Sequence, residues 1–280
     1  IVLPEARIES IIGSFPSLTR MSFHGHTFIS EEASKEWFLR STRTLHLEES
    51  IIVLKAGMIP PTLTHLTLGD NFSQSLSSKL LPSSLIELHL GSKFNHPLVS
   101  LPSGLTTLSI GDSFNQPLTS RLLPQSLTKL KLGNGFNQLL PSLRTLKRLA
   151  LGQAFIDKNI MPMLTPDEFT KKLKSNDYTT KAQFTVPLEL VWFSYITLLR
   201  HPVMLIRSVM SFFPSASVCL IEVDQYKVQY NKYNAFIACR RVDQQTLFCL
   251  LEKTKNTSYL YGIGTSVHRE IKIINMMNGN

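Results

Sequence analysis

Cysteine is scarce in this chain of 280 residues, and its three cysteines lie far apart. Cys219, Cys239 and Cys249 form no C-x-x-C pair, the spacing typical of structural zinc sites and redox motifs. The pattern disfavours both a zinc site and a disulfide framework. The three residues are interpreted as reduced, half-buried strand residues of a cytosolic or nuclear protein, and a cytoplasmic localisation is predicted.

Long hydrophobic runs are also missing. Ionisable side chains interrupt the longest apolar stretch, residues 186–213, at Glu189, Arg200, His201 and Arg207. No run of about 18 apolar residues remains, so no membrane span is predicted. Pro187 and Pro202 suit the first turns of two successive amphipathic helices, and a buried helical pair is predicted here. The alternative is a hairpin lying on a membrane surface.

Motifs with a catalytic or ligand-binding context are absent as well. Residues 261–266 (YGIGTS) contain G-x-G but no third glycine and no G-K-[ST], and are interpreted as a turn. His24 and His26 have no nearby carboxylate or thiol in the sequence and would make a poor metal site. No cofactor, metal or small-molecule ligand is predicted, and the chain is predicted not to be an enzyme. A catalytic site assembled from scattered residues would, however, leave no such motif.

What the chain does contain is a repeat of about 20 residues. The spacings between glycines of successive copies are 22, 20, 22 and 19 residues, at Gly69, Gly91, Gly111, Gly133 and Gly152. Self-similarity at this period is typical of a solenoid, whose units bury their apolar faces by stacking on one another.

Each copy predicts a short strand followed by a turn. An L-x-x-L-x-L run alternates apolar and polar residues over its last four positions, as a strand with one buried face does. A glycine follows, where a side chain would hinder the turn. A phenylalanine stands three residues after the glycine, and the phenylalanines of successive copies are expected to stack on one another. They are Phe72, Phe94, Phe114, Phe136 and Phe155. An asparagine after the phenylalanine is expected to bond turn backbone groups in a repeating ladder, at Asn95, Asn115 and Asn137.

The segment LPSGLTTLSIGDSFNQPL, residues 101–118, resembles the FNIP repeat, a leucine-rich-repeat relative of amoebae and of large viruses that infect them. The resemblance covers residues 63–155, and residues 18–23 and 43–47 fit the strand pattern without the turn glycine. It implies a leucine-rich-repeat-like solenoid that holds partners, and it brings no catalytic residue. Such arrays can follow an F-box, which implies a substrate receptor in ubiquitin ligation as a special case. Because Ile1 is not a methionine, the chain is predicted to be a fragment, and an F-box would lie upstream of it.

Beyond residue 155 the pattern changes. Residues 165–168 carry a capping box that opens a short helix, and short β-rich runs over residues 217–274 predict an antiparallel meander. The predicted fold is α+β overall, with a leucine-rich-repeat-like β-solenoid followed by a smaller α+β domain with an antiparallel meander. The predicted domains are residues 1–62 (degenerate repeats or cap), 63–155 (repeat solenoid), 156–185 (short helix and linker) and 186–280 (helical pair plus β-meander).

The charge indicates the kind of partner. A net charge of +9 and a pI near 9.5 favour acidic partners. Nucleic acid is disfavoured, because the phenylalanines of the array are needed in its core and cannot stack on bases. Strand positions that vary between copies are predicted to contact a protein partner: Thr64, His65, Thr67, Glu87, His89, Thr107, Ser109, Lys129, Lys131 and Arg148.

The predicted function is therefore a protein-protein interaction scaffold. An acidic protein partner is expected to be anchored by Lys129, Lys131 and Arg148. A merely solvated polar face is the first alternative. The second is an enzyme or regulatory domain in the C-terminal region, with the repeats recruiting its substrate.

Overall fold

The computed structural model describes residues 19–23, 41–47, 53–77, 79–160, 184–197, 202–228, 231–241, 246–255 and 267–275. The chain divides into two compact units, Ile1–Thr145 and Leu146–Asn280. Three segments interpreted from the sequence lie outside the described residues: the His24 and His26 pair, the capping box at 165–168 and the G-x-G segment at 261–266.

The described residues of the first unit include six four-residue strands. They are β1 (Arg20–Phe23), β2 (Thr44–Leu47), β3 (His65–Leu68), β4 (Glu87–Leu90), β5 (Thr107–Ile110) and β6 (Lys129–Leu132). Each pairs in parallel with the next, so every repeat adds one strand to the sheet. The predicted repeat strands and the β-solenoid are confirmed. The same register also includes β1 and β2, where the repeat has lost its turn glycine.

The strands alternate between a buried and an outward face. In β3, Leu66 and Leu68 are buried, whereas His65 and Thr67 are partly exposed, and the same order holds in β2, β4 and β5. Register aligns Leu66 with Leu45 and with Leu88, so buried leucines stack from repeat to repeat. This stacking is how four-residue strands, too short to be stable singly, share one core.

The phenylalanines form a buried column. Neighbouring ring centroids are 6.2 Å apart for Phe72 and Phe94, 6.1 Å for Phe94 and Phe114, and 6.1 Å for Phe114 and Phe136. All four side chains are buried, with at most 6% of their surface exposed. The predicted column is therefore confirmed in the first unit. Phe155, in the second unit, is also buried.

Asparagine side chains connect adjacent repeats. The Oδ1 atom of Asn95 accepts the backbone N–H of Asn115 at 2.9 Å, and that of Asn115 accepts the N–H of Asn137 at 3.0 Å. The ladder that the sequence predicted is thus confirmed, and it satisfies backbone donors that strand pairing does not reach.

A second ladder, which the sequence analysis did not predict, follows the turn glycines. The carboxylate of Asp70 accepts the N–H and the hydroxyl of Ser92, at 3.0 and 2.8 Å. One repeat pair further on, Asp112 accepts the N–H of Asn134 at 2.9 Å. Hydrogen bonds accepted by an aspartate before the phenylalanine and by an asparagine after it therefore join successive repeats.

The described residues of the second unit form six strands, two helices and one π-helical turn. They are β7 (Arg148–Leu151), α1 (Gln153–Phe155), a π-helical turn (Ile156–Ile160), β8 (Leu190–Thr197), α2 (Pro202–Phe212), β9 (Val218–Val228), β10 (Asn231–Arg241), β11 (Thr246–Lys255) and β12 (Val267–Asn275). β8 pairs in parallel with β7 and with β9, and β9 to β12 pair antiparallel in chain order. No helix in the described part of the chain is both long and apolar enough to cross a membrane.

The prediction of a helix for the first half of the helical pair is wrong. Residues Leu190–Thr197 form the strand β8, between β7 and β9, with Val191 and Phe193 both 0% exposed. The strand is paired on both sides, and its first residues, LVWF, form a continuous apolar run, which periodicity cannot distinguish from a buried helix. Its β-branched and aromatic residues favour the strand. The second helix of the pair is present as α2, which begins at Pro202.

The three cysteines lie in one register row. Cys239 in β10 is opposite Cys219 in β9 and opposite Cys249 in β11. The half-buried positions predicted for Cys219 and Cys239 are wrong, because each is only 1% exposed. Sequence spacing could not reveal the row, since pairing across antiparallel strands depends on where each turn falls.

Candidate functional site

The outward positions of β2 to β6 form a continuous surface on the first unit. Parallel register places them in two columns, one with Thr44, His65, Glu87, Thr107 and Lys129, and one with His46, Thr67, His89, Ser109 and Lys131. We call these ten residues the strand face. Because adjacent strands lie about 4.8 Å apart, the five strands extend over about 19 Å.

Eight of the ten predicted partner-contacting residues lie on the strand face, and two do not. Thr64 precedes β3, and its hydroxyl donates to the carbonyl of Arg43 at 2.9 Å, so it joins two repeats. Arg148 belongs to the second unit, where its side chain is exposed at the start of β7. The strand face also includes Thr44 and His46, which the sequence analysis did not select.

Positive charge is concentrated on the last strand of the face. Lys129 and Lys131 are both exposed, whereas the outward residues of β3, β4 and β5 are only partly exposed. We call these two lysines the basic end of the strand face. In the second unit Lys147, beside Arg148, is paired with Glu189 at 3.0 Å from Nζ to Oε1.

A carboxylate flanked by two imidazoles lies in the middle of the strand face. The Nε2 atom of His89 is 2.6 Å from Oε1 of Glu87, and the Nε2 atom of His65 is 3.6 Å from Oε2. The three side chains are between 33% and 44% exposed, so a partner could reach them. The sequence analysis selected His65, Glu87 and His89 as partner-contacting residues but did not place them beside one another. The register of the repeats, which aligns His65 with Glu87, was the available signal.

A pocket of about 540 Å³ lies beside the strand face, where β3 and β4 end. Its polar lining includes Thr67, Asp70, Asn71 and His89. The hydroxyl of Ser92, followed by its backbone N–H, holds the pKa of the Asp70 carboxyl below its ordinary value, so Asp70 is ionised at neutral pH. A second pocket, of about 620 Å³, lies between two return segments and is lined by residues that include Val99, Leu101, Arg121 and Pro124.

Metal ligation finds no support in this geometry. Within the described segments, no group of three or more histidine, cysteine, aspartate or glutamate side chains could hold a metal ion. The threonine, serine, histidine, glutamate and lysine side chains of the strand face can offer hydrogen bonds and charge to a partner.

Comparison with known proteins agrees with this architecture. The family model described as the FNIP repeat matches residues 53–93 and 94–135. A crystal structure of the giant-virus protein CroV588, described as a novel circular leucine-rich-repeat protein, is similar with a TM-score of 0.51 and 26% sequence identity. The similarity covers 77% of this chain and 28% of the CroV588 chain, so this chain spans little more than a quarter of that protein's length. No curated protein matches the chain.

Proposed function

We propose that this FNIP-repeat protein is an interaction scaffold whose strand face binds a protein partner. The observation that carries the proposal is the contrast between the two faces of one sheet. The buried face repeats leucine, whereas the outward position aligned with His65 holds Glu87, Thr107 and Lys129 in successive strands. Solenoids bind partners on such surfaces, where variable side chains stand on a constant frame.

The basic end of the strand face makes an acidic segment the fitting partner. Lys129 and Lys131 are exposed on adjacent outward positions of β6, beside the uncharged Thr107 and Ser109. Charge complementarity of this kind mainly accelerates association and excludes partners of the same sign. Arg148 carries a third exposed charge on the second unit and is proposed as a separate contact. A cytoplasmic setting and a substrate-receptor role in ubiquitin ligation belong to this proposal and rest on the sequence interpretation alone.

The experiment is a pull-down from native extract with charge-reversed variants. We expect Lys129→Glu/Lys131→Glu to lose the captured partner at low and moderate salt. A matched control, Lys79→Glu/Arg121→Glu, changes the net charge equally at exposed positions off the strand face and should retain the partner. Arg148→Glu is tested alone, and circular dichroism must show that all variants fold alike.

Equal retention by both double variants would contradict the proposal. Binding would then lie elsewhere, and the alternative of an enzyme or regulatory domain in the C-terminal region, supplied with substrate by the repeats, would be favoured. Identification of ligase subunits among the proteins captured by the wild type would test the substrate-receptor role.

A further inference from the structure

An asparagine followed by a glycine, Asn134–Gly135, lies in the turn after β6. The sequence contains one other such pair, at 278–279, which lies outside the described residues. Asparagine before glycine is prone to deamidation, because glycine has no side chain to shield its backbone nitrogen. That nitrogen loses its proton and attacks Cγ of the asparagine, ammonia leaves, and a five-membered ring forms. Water then opens the ring to aspartate or isoaspartate, so the net reaction consumes one water and releases one ammonia.

The attacking nitrogen is held by a hydrogen bond between repeats. The N–H of Gly135 donates to the carbonyl oxygen of Asp112, in the preceding repeat, at 2.9 Å. Two earlier repeats make the same bond, from Lys93 to Asp70 at 3.0 Å and from Ser113 to Ser92 at 2.8 Å. A backbone nitrogen that donates to a carbonyl loses its proton only after the bond opens, which is also why bonded amides exchange slowly. Deamidation of Asn134 therefore requires the two repeats to separate locally.

The side chain of Asp112 holds the other member of the pair. Its Oδ1 atom accepts the backbone N–H of Asn134 at 2.9 Å. One residue of the preceding repeat thus holds the nucleophile through its carbonyl and the asparagine through its carboxylate. Asp70 accepts the N–H of Ser92 in the same way at 3.0 Å, but neither member of a reactive pair stands there.

The fold requires glycine at position 135. A Cβ atom there would overlap the carbonyl oxygen of Asp112. The close approach between the two backbones therefore excludes the larger residues that would slow deamidation. The same contact makes the pair chemically reactive and protects it while the repeats are stacked.

We propose that Asn134 is a deamidation site that reacts only when its repeat separates from Asp112. Both products then oppose reclosure. Isoaspartate inserts a carbon atom into the backbone before Gly135 and displaces the N–H that Asp112 accepts. Aspartate adds a second carboxylate beside that of Asp112, and two like charges in neighbouring repeats repel.

The surroundings of Asn134 do not favour a carboxylate. Its Oδ1 atom is buried and receives no hydrogen bond within the described residues, so an anionic oxygen in that place would lack a donor. In the aspartate ladder the residue that follows each aspartate is uncharged, with Ser92 after Asp70 and Asn134 after Asp112. Deamidation would break this alternation.

The position of the site connects it to binding, and this step rests on the proposed function. Asn134 stands two residues after the end of β6, the strand that carries the basic end. A repeat that does not reclose would hold β6 less firmly against β5, so deamidation should weaken the surface offered to an acidic segment. Deamidation itself can be measured without a partner, so the site is tested even if the proposed function fails.

The first measurement is the rate of deamidation of Asn134 in the folded whole chain at pH 8 and 37 °C. Trypsin releases residues 132–144, and mass spectrometry with fragmentation locates the converted amide. A synthetic peptide of the same residues gives the rate without the fold. We expect the folded chain to react at least about tenfold more slowly, because opening of the repeat is unfavourable. Equal rates in the chain and the peptide would overturn the proposal.

Variants of two aspartates separate local from global opening. Asp112→Ala removes the side-chain acceptor of Asn134 and should accelerate deamidation about fivefold, the effect of one lost hydrogen bond. Asp112→Asn keeps an acceptor oxygen and should react at close to the wild-type rate. Asp70→Ala is the matched control, since it removes the equivalent bond to Ser92 and should leave the rate at Asn134 unchanged. Equal acceleration by Asp112→Ala and Asp70→Ala, in proteins that circular dichroism shows to be folded, would overturn the role of Asp112.

A second measurement tests whether the aspartate product opposes reclosure. Asn134→Asp has the product side chain, whereas Asn134→Ser copies the uncharged residue that follows Asp70 in the same ladder. At pH 7 we expect Asn134→Asp to melt roughly 2–4 °C below Asn134→Ser, the shift for one repulsive charge pair in water. Equal melting temperatures would show that an aspartate at position 134 is accommodated, and would overturn the proposed barrier to reclosure for that product.

Discussion

Gly91 lies directly against the backbone of Gly69 in the preceding repeat, so a Cβ atom at position 91 would overlap the Gly69 carbonyl. Gly111 has the same relationship to Gly91, and Gly133 to Gly111. Among the described residues, Gly57 is the only glycine with a positive φ, at 86°. The repeat glycines are therefore required for close approach between backbones, more than for an unusual turn conformation.

Gly111→Ala should destabilise the protein by about 1–3 kcal/mol, the usual cost of forcing extra atoms into a packed site. A Cβ at position 111 would lie 2.5 Å from Cα of Ser92 and 2.6 Å from the carbonyl carbon of Gly91, and neither atom can move without separating two repeats. Chemical denaturation monitored by circular dichroism gives the free energy of unfolding.

Gly104→Ala is the matched control for this substitution. The nearest atoms to a Cβ at position 104 are carbonyl oxygens 3.9 Å away, which is ordinary contact. The free energy of unfolding should stay constant or rise by up to about 1 kcal/mol, since alanine restricts the unfolded chain. Equal losses at positions 104 and 111 would show that backbone contact does not explain the repeat glycines.

Phe114→Ala should reduce the free energy of unfolding by about 3–5 kcal/mol. The ring is 0% exposed and stacks on Phe94 and Phe136, so its removal leaves a cavity and breaks the column at its centre. Leu139→Ala removes an apolar side chain that is 64% exposed, and should change stability by less than about 0.5 kcal/mol. A small effect of Phe114→Ala, similar to that of Leu139→Ala, would contradict a shared core along the repeats.

The repeat itself allowed most of the first unit to be predicted. Fixed offsets between leucine, glycine and phenylalanine specify strand, turn and core, and one register then applies to every copy. It also determines which outward residues are neighbours, so the contact of Glu87 with His65 was within reach of the sequence.

The second unit could not be predicted as well, because its elements do not repeat. The apolar run at β8 fits a buried helix and a buried strand equally, and only pairing with β7 and β9 decides between them. The glycine contacts and the Asp70 to Ser92 bond were missed for another reason. They depend on distances between successive turns, which a pattern of residue types does not contain.

Asp70 should give the first unit a pH-dependent contribution to stability. Hydrogen bonds from the hydroxyl and N–H of Ser92 lower the pKa of Asp70 in the folded state, below the value of about 3.9 for a free aspartate. A lowered folded-state pKa stabilises the protein above the unfolded pKa, and this contribution is lost as the pH falls through the folded-state value. The melting temperature of the wild type should therefore fall more steeply below about pH 4 than that of Asp70→Asn.

Ser92→Ala distinguishes this bond from other acidic groups. It removes the hydroxyl, the larger cause of the lowered pKa, and leaves the backbone N–H in place. Its pH dependence should lie between those of the wild type and Asp70→Asn. Identical melting curves for all three proteins between pH 6 and pH 2.5 would mean that the Asp70 bond does not persist in solution.

The asparagine ladder predicts a difference between two substitutions at one position. Asn115 Oδ1 accepts the N–H of Asn137 at 3.0 Å and the side-chain amide of Gln138 at 3.1 Å. Asn115→Ala leaves a partly buried N–H without its acceptor, which should cost about 1–3 kcal/mol. Asn115→Asp keeps an oxygen in the same place and should cost less at pH 7, since a carboxylate accepts both bonds.

Slower amide exchange at Asn137 in Asn115→Asp than in Asn115→Ala would locate the effect at this bond. If the two variants lost equal stability and exchanged equally, the asparagine would be needed for its shape or its donor group, and the ladder would contribute nothing through its acceptor.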